Sequence, residues 1–566
     1  MDRADGGQRG AKPFRPMLWI LAVLPCCLYA ALQLGALGHP LFWQDEGETA
    51  MFGQRILDYG YPKVHDGGNV VFGMGVPLEY AVEGQSDAYT GSLWGQYYLA
   101  ALGVQFAKGV EELHAHTARV RLPFVLLGMA GLGLLFLSVS PLFSERRRGR
   151  AAGFAGYGLL LCLSTSLILH LREVRYYAPA LACLAGVVWL QMRRPPGRGE
   201  GGAGRAWGMG GALLVLFNFF HPAALAAGLW VCIEWFVWAR RAPGPGLSRV
   251  GRAGSLWLSL AAFGSLALGI AWAFGIPTLS RIFAERWGFG PELYGTNLVL
   301  LAQYLLRYEL LGPVLLAEAV LLVGRRQGRE SAAGLICARG SLLRLVVLYA
   351  LVGAGNPIFF ERYFVPVGPL LILVLLLDLE ILWRGFGHET RQTRRPRGLG
   401  IALSSAILAS ILWIRADELV GHVQEIRRPV VGPVDAAIEF IQARYPDPAA
   451  LMIATNYEAE PYMYYLGSRV VGRFHGGTAE ADAAEAALEP DLVIPRSAQP
   501  RSLQAVRRYL MVHPFERHEL PVADVAYNNI PELSPGRLLS TTHRFATPQP
   551  GEDGPPLAIY ERHRER

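Results

Sequence analysis

The stretch HPLFWQDEGETAMFGQRILDYGYPK, residues 39–63, follows directly on a long apolar run and decides how the rest of the chain is read. It opens with aromatics, places Asp45 and Glu46 side by side, and continues as an amphipathic segment. Adjacent carboxylates repel each other and gain nothing from burial. A chain that leaves a membrane and at once presents two of them either marks a solvated helix start, where acids meet the helix dipole, or holds them for chemistry. The apolar run before it, from Met17 to about Leu37, is near the length that spans a hydrocarbon core. It is longer than the apolar region of a signal peptide, so it is read as a retained helix.

Working outward, the 566 residues are 52% hydrophobic and only 17% charged, with a mean hydropathy of +0.26. A soluble chain of this length would carry more charge and divide into several cored domains. The apolar residues instead gather into runs of spanning length, at about 17–38, 119–143, 151–170, 174–192, 207–221, 223–240, 254–276, 297–323, 340–356, 363–383 and 399–415. That pattern is an α-helical polytopic membrane protein of about eleven transmembrane helices. The net charge of +7 is concentrated in basic clusters at Arg146–Arg150, Arg193–Arg205, Arg240–Arg252, Arg325–Arg329 and Arg384–Arg397. Each lies between apolar runs, where the positive-inside rule places cytoplasmic loops, so these are topology signals and no nucleic-acid surface is expected. The six cysteines all lie in or beside apolar runs, which excludes a disulfide framework and a zinc pattern of cysteines.

With the basic clusters inside, residues 1–16 form a cytoplasmic tail, 17–415 a membrane domain, and 39–118 one long external loop. The segment SLWGQYYLAALGVQFAKG, 92–109, is apolar enough for a short span, but counting it would turn every basic loop outward. It is read as a juxtamembrane helix lying on the outer face, with Trp94, Tyr97 and Tyr98 at headgroup level. After Arg415 the composition changes. AAIEFIQARY and LQAVRRYLMV have helical spacing, and ALMIAT, PDLVIP and PLAIYER read as short strands. Residues 416–566 are thus expected to carry a small α/β domain outside the membrane.

The external face collects ionisable groups at span ends. Asp45 and Glu46 follow the first span. Arg119 and Arg121 open the second. Arg172, Arg175, Tyr176 and Tyr177 sit in the tight turn HLREVRYY, His221 precedes a proline break, and Glu361, Arg362 and Tyr363 open a late span. Taken singly each has an ordinary reading: a solvated helix start, headgroup snorkelling, a packed histidine. Together on one face, carboxylates for proton abstraction beside arginines for a phosphate form a site for an anionic donor.

An opening span, an external acidic pair in QDEGETA, an aromatic juxtamembrane helix, REVRYYAP and ERYFVPVGP resemble the GT-C glycosyltransferases. In plan the chain is similar to the protein O-mannosyltransferases and the lipid A aminoarabinose transferase family. The resemblance implies a sugar donor linked to polyprenyl phosphate, transfer on the non-cytoplasmic face of a bacterial inner membrane, and a glycan, lipid or protein acceptor. It implies Asp45 and Glu46 as the catalytic acids, and Arg172, Arg175, Tyr176, Arg362 and Tyr363 around the donor phosphate. Arg119, His221, Tyr457 and Glu458 are further candidates for contact with substrate. Asp45 would take the proton of the acceptor hydroxyl, while Glu46 either orients the acceptor or joins Asp45 in holding a divalent cation. A polytopic transporter or flippase of lipid-linked sugars is the alternative, but it would put charges at the bilayer centre and show inverted repeats, and neither is evident. A membrane-anchored binding protein working through its C-terminal domain is the third.

Overall fold

The computed structural model describes residues 16–71, 87–143, 147–192, 202–241, 246–286, 288–324, 333–385, 398–471, 489–497, 500–526 and 543–563. The basic loop Arg325–Arg329 and the expected tail over 1–15 lie outside these residues. So do most of the Arg193–Arg205 and Arg384–Arg397 loops.

The 39–63 stretch becomes a helix. The first helix, α1 (Pro16–Leu34), leads through a short link into α2 (Gln44–Tyr59), which has Asp45 and Glu46 in its first turn. Gly60 ends α2 at φ +86°, its N–H donating to Ile56 O at 2.8 Å. The 92–109 segment forms α3 (Gly95–Ala107), and its 13 residues are too few to cross a hydrocarbon core. It packs on α2 so closely that a Cβ on Gly53 would lie 2.8 Å from Ala101 N. The next helix, α4 (Leu113–Val139), starts at a Glu112 cap whose carboxylate accepts from His114 N and Ala115 N.

Two expected spans are broken. The 151–170 run splits into α5 (Arg147–Cys162) and α6 (Thr165–His170) at the polar STS sequence, where Ser164 leaves helical geometry. Beyond it come α7 (Tyr177–Met192), α8 (Gly202–Phe219) and α9 (His221–Arg241), the last two parting at Phe220 beside Pro222. Then follow α10 (Gly246–Ala273) and an amphipathic α11 (Ile276–Arg286) between the expected spans 254–276 and 297–323. The 297–323 run is α12 (Pro291–Arg307) and α13 (Leu311–Gly324). Pro313 in the first turn of α13 has no N–H to continue the ladder of α12. The membrane part closes with α14 (Ala333–Ala354), a 3-10 turn Glu361–Phe364, α15 (Val367–Gly385) and α16 (Gly398–Arg427).

Among the described residues, Leu113–Leu142, Gly254–Ala273 and Ala333–Ala354 are long and apolar enough to cross a membrane, and four shorter apolar helices accompany them. The last helix runs well past the expected end at residue 415. Its polar part is held by pairs on one face, such as Arg415–Glu418 at 2.7 Å.

The C-terminal α/β domain contains α17 (Pro433–Arg444), α18 (Ala459–Leu466) and α19 (Pro500–Val512). Its strands are β1 (Met452–Thr455), β2 (Arg469–Val471), β3 (Leu492–Ile494), β4 (Phe515–Ala523) and β5 (Pro556–Arg562). They form one sheet in the order β2-β1-β3-β5-β4. β1 is parallel to both β2 and β3, while β5 is antiparallel to β3 and β4.

Side chains alternate across the strands, so Ile453, Leu492 and Ile494 face one way and Ala454 and Val493 the other. The first face shares a single apolar core with Ile438, Tyr462, Phe52 and Ile56. The domain is therefore seated on α2 instead of hanging from a linker. Asn69 adds to the joint, donating to Ser468 O at 2.9 Å and accepting from Val470 N at 2.8 Å.

Candidate active site

Helix geometry separates the two adjacent acids. Neighbours on a helix point about 100° apart, whereas residues three apart share a face. Asp45 is on the open side of α2, its side chain a quarter exposed. Its Oδ2 lies 3.3 Å from Arg175 Nη2 and 3.6 Å from Arg362 Nη2. Arg175 comes from the turn before α7 and Arg362 from the 3-10 turn before α15, so two distant loops bring cations to one carboxylate. Arg175 is fixed by its other nitrogen, Nη1, which donates to Asp45 O at 3.1 Å and Thr49 Oγ1 at 3.0 Å. The Arg362 guanidinium lies over Trp43 at 5.0 Å and Phe360 at 4.1 Å, both cation–π range. Beside them Tyr176 stacks on Phe220 at 4.7 Å and 11°, and Tyr363 stands 5.7 Å from Phe220. These rings form an aromatic wall next to the charges.

Glu46 is placed differently from its expected position at the reacting centre. It is fully buried, and Arg121 grips it with two parallel bonds, Nε to Oε1 at 2.9 Å and Nη2 to Oε2 at 2.6 Å. Val174 N also donates to Oε1 at 2.9 Å. Arg121 Nη1 donates in turn to Leu37 O at 2.9 Å and Pro40 O at 2.8 Å. This pair bolts together α2, α4, the turn before α7 and the link from α1. With one carboxylate on Arg121 and the other facing two arginines, Asp45 and Glu46 do not converge on a common point. The pair does not fit a shared divalent cation.

Other candidates also move. Arg119 is exposed on α4, on a different face from Arg121. Arg172 turns away from Asp45, its Nη2 donating to Ala36 O at 2.7 Å at the end of the first span. His221 begins α9 with its ring 6.4 Å from Phe220, at the edge of the wall. Tyr457 lies near enough to Asp45 and Arg362 to feel both charges. Glu458 is a buried bolt of the C-terminal domain, paired with Arg496, and its N–H donates to Gln44 Oε1 at 3.4 Å.

Two acids were missed in the sequence. Glu48 is buried on the same face of α2 as Asp45, with Tyr97 Oη donating to it at 3.4 Å. Burial pushes its carboxyl up to about 7, with the Asp45 charge adding to the shift and Arg175 opposing it. The spacing of Asp45 and Glu48 by three was the available signal. Glu173, between the two arginines of REVRYY, is buried with its Oε1 2.8 Å from His170 Nδ1. Arg175 itself is held above its ordinary range: burial works against its charge, but Asp45 and Glu48 outweigh it.

The arrangement offers one accessible carboxylate, two converging guanidinium groups and an aromatic wall at the mouth of an apolar helix bundle. A scan against protein-family models and a search of characterised proteins both return no match. Among solved structures, the fold is similar to that of ArnT from Cupriavidus metallidurans in the apo state (TM-score 0.50, 12% identity, 90% of this chain and 96% of that one). It is equally similar to the same protein bound to undecaprenyl phosphate (TM-score 0.50, 13% identity, the same coverage). A third similar structure is the apo form of the Archaeoglobus fulgidus oligosaccharyltransferase (TM-score 0.47, 10% identity, 89% of this chain and 70% of that one). At these identities the likeness is one of fold.

Proposed function

We propose that this chain is a membrane glycosyltransferase moving a sugar from a polyprenyl-phosphate-linked donor to the hydroxyl of a glycan, lipid or protein acceptor, with Asp45 as general base. The observation that carries the proposal is the convergence of Arg175 and Arg362 on Asp45, the partly exposed carboxylate in the first turn of α2. The acceptor oxygen gives its proton to Asp45 and forms a bond to the anomeric carbon. The bond from that carbon to the phosphate oxygen breaks, and the polyprenyl phosphate leaves as an anion held by the two arginines. Such a leaving group needs no protonation, so one carboxylate suffices where a glycosidase uses two.

The arginines now share Asp45. An arriving phosphate would draw them toward itself and bare the carboxylate, so donor binding would prepare the base. The ArnT structure bound to undecaprenyl phosphate supports a donor of this class on this fold. The basic loops support placing the site and the C-terminal domain on the periplasmic face of a bacterial inner membrane.

Arg175→Ala and Arg362→Ala are each expected to raise the KM for a polyprenyl-phosphate sugar roughly 10- to 100-fold, the value of a charge-assisted contact. Lysine at either position restores part of the loss, because a point charge replaces a planar fork. Steady-state kinetics in mixed micelles measure this, and unchanged donor kinetics in both alanine variants would remove the phosphate site.

Glu48 adds a pH dependence. With its carboxyl raised to about 7, it is neutral below that pH and leaves Arg175 balanced by Asp45 alone. Above it, a second carboxylate competes with the donor phosphate for Arg175. Donor KM should rise as pH climbs through about 7, and Glu48→Gln should flatten the rise. The same slope in both proteins would show that Glu48 does not titrate there.

A further inference from the structure

Beyond the donor site, a second group of polar side chains lies where α16 meets the C-terminal domain. His422 and Glu425 sit three residues apart on the polar end of α16, and His543 comes from the chain leading to β5. His422 Nδ1 is 2.9 Å from Glu425 Oε2, and His543 Nε2 is 3.0 Å from Glu425 Oε1. The three donor atoms lie within 4.8 Å of one another. Both histidine side chains are more than nine-tenths buried, at 2% and 4% exposed. The His543 nitrogen has a carboxylate oxygen in reach but not the alignment of a hydrogen bond.

The hydrogen-bond directions around His422 say which nitrogen carries the proton. Arg415 donates twice to Glu418, at 2.7 and 3.0 Å, so both oxygens of that carboxylate act as acceptors. The Thr165 hydroxyl therefore gives its single proton to Glu418 Oε2, at 2.9 Å. That leaves Thr165 Oγ1 able only to accept from His422 Nε2, at 3.3 Å. A neutral His422 then directs the bare lone pair of Nδ1 at the Glu425 carboxylate. Two lone pairs 2.9 Å apart repel, so either a second proton on the imidazole or a metal ion must lie between them.

We propose that His422, Glu425 and His543 form a zinc-class metal site that clasps the end of α16 to the C-terminal domain. Two imidazoles and a carboxylate suit a divalent ion of this class, whose ligands are about 3.3 Å apart when bound at about 2.0–2.1 Å. The two nitrogen–oxygen separations are near that spacing, and the two histidine nitrogens would close toward it from within 4.8 Å. The Thr165–Glu418 chain is the outer support that fixes the tautomer of a ligating histidine. A fourth ligand would enter from the adjoining cavity, which is lined by Thr165, Tyr308, Arg415, Glu418 and His543.

The two other histidine–carboxylate groups among the described residues fit less well. Asp435 is committed to Leu41 N and Gly432 N, and His114 Nδ1 to Gly38 O. Glu516, His518 and Glu561 lie at an open sheet edge, with Glu516 exposed.

The test uses the full-length protein in detergent, dialysed against micromolar zinc and then metal-free buffer, with metal content measured by mass spectrometry. Wild type should retain about one zinc per chain, as should His518→Ala. His422→Ala and His543→Ala should retain none, and Thr165→Val should bind zinc roughly 10- to 100-fold more weakly. Zinc should also raise the melting temperature of the wild-type protein, which decides the matter even if a variant fails to fold. Wild type without zinc and with no zinc-dependent melting would mean that His422 is simply a doubly protonated imidazolium, and the proposal falls. Full zinc content in both histidine variants would place the metal elsewhere.

Discussion

Asp45→Asn should lower turnover by roughly two or more orders of magnitude while leaving the protein inserted and folded. Asparagine keeps the size of the side chain and still accepts hydrogen bonds, so the first turn of α2 and the contacts of Arg175 to Asp45 O and Thr49 survive. It cannot take a proton, and a positioned base contributes about 10²- to 10⁴-fold. The variant also frees Arg175 and Arg362 from the carboxylate they share. Donor affinity should therefore hold or improve as kcat falls, which is the signature of an interaction made only in the transition state. A variant that merely loosened α2 would lose donor affinity as well. Single-turnover transfer and donor binding, measured on the same preparation, separate the cases. An inserted Asp45→Asn protein with near-normal transfer would remove the base, and the acid would then be only a helix-start residue.

What could be read in the sequence, and what could not, follows from which forces act locally. The strands of the C-terminal domain that are apolar runs, such as LVI in β3, were legible because burial on both faces demands it. β4, FERHELPVA, was not: charge alternates along its exposed half, and only pairing with β5 makes it a strand. The broken spans are set by single residues, Ser164 and Pro313, inside otherwise apolar runs.

At the candidate site, QDEGETA points to the first turn of α2, but adjacency in sequence is not adjacency in space. The helix turns Glu46 toward α4 and brings Glu48 to the face of Asp45. In REVRYY the two arginines were read alike, yet Arg172 reaches the end of the first span and Arg175 the carboxylate. Nothing local distinguishes them; the position of α1 does.

The C-terminal domain is coupled to the same turn. A Cβ on Gly47 would lie 2.9 Å from Pro461 N at the start of α18, so the first turn of α2 is in contact with that helix. Tyr465 Oη accepts from Phe42 N at 3.2 Å and bonds Thr117 Oγ1 at 2.6 Å, joining α18 to the approach to α2 and to α4. The tyrosines of α18 thus hold the domain in place, and Asp45 takes its position from a joint between the two parts of the chain.

The first turn of α2 is also held by Glu46 and Arg121, and breaking that pair should have the second large effect. Glu46 is fully buried and Arg121 nearly so, and each is left as an uncompensated buried charge if the other is removed. Losing one partner of such a pair costs about 3–5 kcal/mol. Arg121→Met and Glu46→Leu should each destabilise the protein by that amount, seen as a lower melting temperature and a poor yield of inserted protein. In Arg121→Met the carbonyls of Leu37 and Pro40 also lose their donor, so the link between α1 and α2 should loosen. The double variant, Glu46→Leu with Arg121→Met, removes both charges and should recover part of the stability lost in either single one. It should not recover all, because Val174 N and the two carbonyls stay unpaired. Glu46→Gln separates support from chemistry: it keeps the shape and an acceptor for Val174 N but drops the charge. Its melting temperature should fall, while kcat per folded molecule stays within about tenfold, since Asp45 still holds the proton-accepting position. Normal melting with a loss of kcat as large as that of Asp45→Asn would make Glu46 part of the reaction, and the bolt would not be its role.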